Sequence, residues 1–273
     1  MAKSFRKGKS QQRSSRDNKP YKARKTFKQP AQKQNKSDDG LMRLNKYIAN
    51  SGVCSRREAD MYISVGNVTV NGEIITQMGY KVKPGDVVHF GGELVTPEPK
   101  TYVLLNKPKG FATTTSTSKG RTVMDLVANA TSAKIKPIGR LGRSATGLIL
   151  FTNDNDLVRK FKGSKTGVAR LFHVELNRKL KTEDLTAIQE GIKIKGETFT
   201  VEEISYIDNA PRKEVGIRIK NIGNAVITKI FEHLDYEIAR LDCVMIGPLT
   251  KKDIPRGHWK HLTKQEISSL MML

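Results

Sequence analysis

Cysteine is nearly absent from this 273-residue chain, and long apolar runs are missing. The two cysteines, Cys54 and Cys243, can form neither a disulfide framework nor a complete zinc site. No run approaches about 18 apolar residues, so no membrane-spanning helix is expected, and the N-terminus lacks the apolar stretch of a secretory signal. Gly-rich phosphate loops and clusters of metal ligands are missing as well. We therefore expect a cytoplasmic protein in a reducing setting, with no membrane partner, no metal and no cofactor.

Acidic residues are scarce, and the resulting excess of positive charge is the main clue to the partner. The chain has 49 Lys and Arg against 27 Asp and Glu, a net charge of +22. Such an excess favours an anionic polymer, either nucleic acid or an acidic membrane. Residues 1–40 hold nine Lys and four Arg but only three Asp, and their low apolar content predicts a disordered basic arm. We interpret this arm as an RNA tether, with a solubilising tail as the alternative.

Residues 41–93 have the pattern of a compact module of two helices and a small sheet. Leu44 and Ile48 share one face of a first helix. Ser55, with a glutamate three positions later, predicts a second helix that begins with a capping box. The pair Asn71-Gly72 is typical of a tight hairpin turn after a short strand. These elements place basic residues near two helix starts, which suits a phosphate backbone.

The run from Arg43 to Gly72 resembles the S4 RNA-binding domain over its full length. Its S-R-R-x-A, G-x-V and V-N-G elements stand at the spacing of that family. The predicted RNA contacts near the two helix starts are Arg43, Lys46, Arg56 and Arg57. We therefore predict an S4 domain over residues 41–93 and a linker over residues 94–100, where two prolines interrupt the pattern.

Residues 101–273 mix short apolar strands with amphipathic helices, which predicts an α+β domain. Four motifs follow one another in this part of the chain: LNKPKG (105–110), PIGRL (137–141), TGLILFTND (146–154) and IGPL (246–249). Their order and spacing resemble the small-subunit type of rRNA pseudouridine synthase, which carries an N-terminal S4 domain. The resemblance covers roughly residues 43–263.

This resemblance implies a mixed or antiparallel sheet and a basic cleft that flips a uridine out of RNA. Enzymes of the family isomerise uridine to pseudouridine without a cofactor, using an aspartate in the motif G-R-L-D. Here the motif reads Gly139-Arg140-Leu141-Gly142. Gly142 has no side chain and can be neither nucleophile nor base. Loss of a covalent nucleophile can cost on the order of a millionfold in rate.

Two further motifs of the family are altered here. The family's K-x-Y matches Arg170-Leu171-Phe172, where the ring remains and the hydroxyl is lost. In the late motif G-R-N-R-Q-V-R-R-M-F, three of the four arginines match Gly223, Ala225 and Thr228, and the fourth matches Lys229, which keeps the charge. An arginine that neutralises a buried carboxylate loses its partner once that carboxylate is gone. The three changes are therefore consistent with a protein that kept the fold and gave up the isomerisation.

Several cations remain along these motifs and are predicted to line the cleft and bind RNA; structural packing is the alternative. They are Lys107, Lys109, Arg140, Arg143 and Arg170. Asp125 and Asp154 are interpreted as structural caps or pairs rather than as replacement acids. Cys54 is expected to be a small packing residue, and the same holds for the histidines beside Trp259.

The preferred interpretation is a non-catalytic, monomeric relative of these synthases. It would bind rRNA in ribosome assembly, or on a ribosomal subunit or its precursor. One alternative is an active synthase in which another residue replaces the missing aspartate at Gly142. A weaker alternative is a basic surface that serves DNA or an anionic membrane, which the S4 resemblance disfavours.

Overall fold

Buried apolar side chains form two separate clusters, which lie within residues 44–88 and 102–270. The computed structural model describes residues 41–116, 120–162, 167–220 and 224–273. The predicted arm over residues 1–40 lies outside this part of the chain. Two distinct cores are the physical basis for two domains along one chain.

The first domain packs two short helices against small antiparallel sheets. Its elements are β1 (Met42–Arg43), α1 (Leu44–Asn50), α2 (Arg56–Ser64), β2 (Val68–Val70), β3 (Glu73–Ile74), β4 (Lys81–Val82), β5 (Val88–Phe90) and β6 (Glu93–Leu94). The hydroxyl of Ser55 accepts a hydrogen bond from the Glu58 N–H at 3.3 Å, and the Glu58 carboxylate accepts one from the Ser55 N–H at 2.7 Å. This capping box confirms the predicted start of α2. Asn71 and Gly72 both have positive φ and join β2 to β3 as predicted.

The second domain is built on one large sheet with helices packed around it. Its elements are β7 (Tyr102–Lys107), α3 (Val123–Leu126), β8 (Lys136–Ile138), β9 (Thr146–Thr152), α4 (Asn155–Lys160), β10 (Arg170–Leu176), α5 (Thr182–Glu190), β11 (Ile192–Ile194), β12 (Glu197–Phe199), β13 (Glu203–Tyr206), β14 (Glu214–Ile219), α6 (Ala225–His233), β15 (Ile238–Ile246), β16 (Leu249–Thr250), β17 (Trp259–His261) and α7 (Lys264–Met272). The strand order is β13-β14-β10-β15-β9-β7-β17, with β16 on β15 and β8 on β9. The pair β15–β9 is parallel and the other pairs of this sheet are antiparallel. The predicted α+β class with a mixed sheet is confirmed.

The centre of this sheet positions the altered motif. The G-R-L-G segment leads directly into β9, and β9 lies between β7 and β15. Gly147, on β9, has φ +101°, and a Cβ there would overlap the carbonyl oxygen of Cys243 on β15. A glycine is therefore required where β9 and β15 approach each other.

Candidate active site and RNA interface

The second helix of the first domain presents two arginines to solvent. The capping box fixes the first turn of α2, so Arg56 and Arg57 stand exposed beside the N–H groups of the helix start. Arg43, which directly precedes α1, is exposed as well. Helix starts that carry arginines offer both a partial positive charge and bidentate donors to a phosphate. Contact with RNA remains a prediction for these three residues.

Lys46 differs from them because it contacts the second domain. Its Nζ lies 3.8 Å from Oδ1 of Asp156, and its side chain is 22% exposed. Close by, the Asn155 amide donates a hydrogen bond to Oδ1 of Asn50 at 3.2 Å. Lys46 is therefore partly engaged within the protein, and its ammonium group is less accessible to RNA than the guanidinium groups of the three arginines. Its contact with RNA stays a prediction.

Gly142 lies in an exposed loop, and its backbone does not require a glycine. Its φ is outside the left-handed region, and a Cβ built there would come no closer than 3.9 Å to Asn224 and 4.0 Å to Ser144. The Gly142 N–H donates a hydrogen bond to Oδ1 of Asn224 at 3.3 Å. The fold would therefore accept an L-residue at position 142.

Lys107 is fully buried beneath this loop, which favours the alternative of structural packing over the predicted contact with RNA in the cleft. Its Nζ donates to the carbonyl oxygens of Ala145, Gly142, Pro108 and Arg143 at 2.7, 3.0, 3.2 and 3.4 Å. Burial, together with the charges of Arg143 and Arg256, lowers the pKa of Lys107 to about 8. Because backbone oxygens surround the amine, Lys107 positions the loop and is not available to a phosphate.

Arg170 is also buried, which corrects a second predicted RNA contact. Its guanidinium donates to the Ile138 carbonyl oxygen at 2.9 Å and lies 5.5 Å from the centre of the Phe161 ring. Burial lowers the pKa of Arg170. Phe172, on the same face of β10, is fully buried too. Its ring packs in the core, so neither side chain can reach a base at the surface.

Three other predicted cations remain at the surface around the loop. Lys109, Arg140 and Arg143 are all exposed. The Arg143 guanidinium donates to the Gly110 carbonyl oxygen at 3.1 Å, and the Gly110 N–H donates to the Arg143 carbonyl oxygen at 2.9 Å. These bonds tie the turn after β7 to the loop and bring Lys109 and Arg143 into neighbouring turns. Their contact with RNA stays a prediction.

A cavity of about 280 Å³ opens beside the Gly142 loop, and its lining differs from a cation-rich cleft. Ser144 and Asn224, both within 4.0 Å of the Cβ position of residue 142, lie in its wall. Thr228, which stands where the family has a basic residue, lines it as well, together with Glu232 and Glu237. The matching position Gly223 lies outside the described residues. Sequence reasoning missed the two glutamates because the motif comparison ends before them.

Asp125 and Asp154 have the structural roles predicted for them. The Asp125 carboxylate accepts a hydrogen bond from the Thr122 N–H at 2.7 Å and caps α3. Asp154 is buried and caps α4. Its carboxylate accepts a hydrogen bond from the Tyr102 hydroxyl at 2.7 Å and forms an ion pair with Lys100 at 3.0 Å. Burial alone raises the pKa of Asp154, but these partners lower it overall. Neither carboxylate is available for chemistry at the loop.

Asp242 is a buried carboxylate that sequence reasoning did not single out. It lies on β15, and its Oδ2 is 2.6 Å from Lys251, 3.2 Å from Arg256 and 3.6 Å from Arg240. Burial raises the pKa of its carboxyl, but the hydrogen bond and charge of Lys251, then Thr146 and Arg256, bring it below its usual value. An acid in the middle of a buried strand is the signal that could have revealed it.

The depressed pKa of Asp242 predicts a loss of stability in acid. As pH falls, the carboxyl of Asp242 is protonated in the unfolded chain before it is protonated in the folded protein. Its contribution to stability is therefore fully present above the unfolded pKa of about 3.9, and it is lost as pH falls through the lower folded pKa. Unfolding measured between pH about 6 and about 2 should therefore show a shallower acid decline for Asp242→Asn than for the wild type. Lys251→Gln should flatten the decline as well, and provides the test if Asp242→Asn fails to fold. An identical decline in all three proteins would contradict the prediction.

Among the described residues, no three His, Cys, Asp or Glu side chains gather as a metal site, and no helix is long and apolar enough to cross a membrane. Trp259 and His261 pack edge to face, with ring centres 5.3 Å apart. Cys54 is half-buried, and burial, with the charge of Glu58, raises its pKa. These features agree with packing roles.

Known proteins share both domains. The S4 domain family matches residues 42–88, and the RNA pseudouridylate synthase family matches residues 101–242. The dual-specificity RNA pseudouridine synthase RluF of Escherichia coli is 36% identical over 238 residues, covering 86% of this chain and 80% of that protein. The ribosomal large subunit pseudouridine synthase B of Bacillus subtilis is 29% identical over 236 residues, covering 85% and 97%. A crystal structure of a pseudouridylate synthase superposes with a TM-score of 0.58 at 26% identity, covering 84% of this chain and 99% of that one.

The fold and the loop before β9 define an RNA pseudouridine synthase domain preceded by an S4 domain. This chain belongs to the RNA pseudouridine synthase family. The predicted family resemblance is confirmed, and so is the order of the two domains.

Proposed function

We propose that this protein binds rRNA and does not isomerise uridine. The observation that carries the proposal is Gly142, which stands in the motif where the family has its aspartate. The backbone there would accept a side chain, and Lys107 holds the surrounding loop in place. The loop is thus built, but it lacks the carboxylate that would act on the sugar.

The surroundings of the loop support the loss of chemistry. Phe172 stands where the family has a tyrosine, and it has no hydroxyl. Its ring is also buried in the core and has no access to the surface. Asp125, Asp154 and Asp242 are engaged by backbone groups or cations. In the wall of the cavity beside the loop, Thr228 stands where the family has a basic residue, so that position offers no charge to pair with a carboxylate.

Retained binding is supported by the S4 domain and by the exposed cations. Arg43, Arg56 and Arg57 of the S4 domain, and Lys109, Arg140 and Arg143 of the synthase domain, offer accessible charge for a phosphate backbone. The named activities of the relatives are on RNA, including the large ribosomal subunit. The proposed partner is therefore rRNA, on a ribosomal subunit or its precursor, bound by a monomeric cytoplasmic protein that acts in ribosome assembly.

The test is a pseudouridine map of total rRNA from cells with and without the gene, read beside sedimentation of ribosomal particles. We expect an unchanged map and the protein on a ribosomal subunit or its precursor. A site lost only in the deletion strain would show an active synthase, and the carboxylates of Glu232 and Glu237 would then be the first candidates. An unchanged map with no protein on any ribosomal particle would contradict the binding role.

A further inference from the structure

Three cations surround the buried carboxylate of Asp242 at the surface of the synthase domain. The side chains of Lys251, Arg256 and Arg240 are 31%, 35% and 46% exposed, whereas that of Asp242 is fully buried. All three lie within 3.6 Å of one oxygen, Oδ2. One carboxylate cannot neutralise three cations, so the cluster carries a net positive charge at the surface.

The backbone around Arg256 is fixed to the centre of the sheet. The Gly257 N–H donates to the Asn106 carbonyl oxygen at 2.7 Å, and the Asn106 amide donates to the Ile254 carbonyl oxygen at 2.8 Å. Asn106 lies on β7, next to the lysine that holds the Gly142 loop. The backbone on both sides of Arg256 is therefore fixed, and its guanidinium contacts the carboxylate of Asp242. This order reduces the entropy cost of binding an anion.

The cluster borders the altered loop. Asp242 on β15 stands opposite Thr146 on β9, and the carbonyl oxygen of the preceding residue, Ala145, accepts a hydrogen bond from Lys107 Nζ at 2.7 Å. Lys107 in turn bonds to the Gly142 carbonyl oxygen at 3.0 Å. An RNA strand that passes the exposed loop would therefore run beside the cluster.

We propose that Arg240, Lys251 and Arg256, organised by Asp242, bind backbone phosphates of the RNA that the S4 domain also holds. The inference rests on the proposed function and adds a phosphate site in the synthase domain. An isolated surface ion pair contributes little to stability, but guanidinium groups fixed by a buried carboxylate are pre-organised for a phosphate. The overall charge of +22 favours a polyanion over an acidic protein patch as the ligand.

The experiment compares single charge losses in the full chain. Lys251→Gln and Arg256→Gln remove cations of the cluster, and Lys252→Gln removes an exposed cation one residue away that is not among the contacts of Asp242. The probe is a fluorescently labelled fragment set of large-subunit rRNA, with DNA of the same sequences beside it. We expect the Kd to rise about fivefold for Lys251→Gln and for Arg256→Gln, and the salt slope to fall by about 0.7 for each. Lys252→Gln should stay within about twofold of the wild type.

The outcomes separate a failure of the phosphate site from a failure of the proposed RNA-binding function. Equal effects of Lys251→Gln and Lys252→Gln, or no effect of either cluster variant, would overturn the phosphate site. If Arg57→Gln still weakens binding in that case, the proposed RNA-binding function survives without it. A wild type that binds rRNA no better than DNA would overturn the proposed function itself. Lys251→Arg, which keeps the charge, should restore affinity, and a thermal melt of each variant separates lost binding from lost folding.

Discussion

A Gly142→Asp variant is expected to fold as the wild type does and still to form pseudouridine at least about a thousandfold more slowly than the Escherichia coli relative. Folding should be preserved because the backbone at residue 142 is not left-handed, and a Cβ there meets only ordinary contacts at 3.9 and 4.0 Å. The carboxylate would therefore sit in the loop without strain. Placing the missing group is not expected to restore the reaction.

The reason lies in what surrounds the restored carboxylate. The cavity beside it is lined by Glu232 and Glu237, and two positions where the family has basic residues hold Ala225 and Thr228. Neither of these two side chains carries a charge that could pair with the restored carboxylate. Phe172 supplies no hydroxyl and no exposed ring. Groups that act as a unit in catalysis are strongly non-additive, so one of them returned alone recovers little of the rate.

The measurement is pseudouridine formed in rRNA from cells that lack the gene, under single-turnover conditions. Gly142→Asn is the matched control, because it adds a side chain of nearly the same size without the charge. A variant that also carries Phe172→Tyr tests whether the hydroxyl is the next requirement. A rate for Gly142→Asp near that of the relative would show that only one side chain separates this protein from an active enzyme.

Short-range signals in the sequence predicted local structure well. The capping box at Ser55 and the Asn71-Gly72 turn depend on neighbours within a few residues, and both are confirmed. The motifs around β9 predicted the family for a related reason, since the loop and strand are contiguous in the chain. What these signals cannot specify is which distant side chains a given cation meets.

The two mistaken RNA contacts show this limit. The motifs predict that Lys107 and Arg170 line an RNA-binding cleft, but each is buried and donates to a backbone oxygen of another segment. For Arg170 the alternation of β10 was a usable signal, because Phe172 and Val174 share its face and are fully buried. Two of the three cations at Asp242, Lys251 and Arg256, lie beyond β15, so the cluster exists only once the strand and the segment after it are folded together.

A Gly147→Ala variant is expected to lose about 4 kcal/mol or more of folding free energy, or to fail to fold. Residue 147 has φ +101°, which an L-residue rarely adopts. The added methyl group would overlap the Cys243 carbonyl oxygen and crowd the carboxylate of Asp242. Backbone atoms at the centre of a sheet cannot move aside without breaking the β9–β15 pairing, so relaxation should relieve little of the clash.

Gly142→Ala is the matched control, in the same segment and with the same chemical change. The added methyl group reduces the conformational freedom of the unfolded chain. In the folded chain it meets no clash, because the backbone at residue 142 accepts an L-residue. We expect it to be neutral or to stabilise the protein by up to about 1 kcal/mol in urea unfolding. Equal losses in the two variants would contradict the structural distinction between them. Because one glycine is required by the sheet and the other is not, the difference would show that the backbone at residue 142 is compatible with an L-residue such as aspartate.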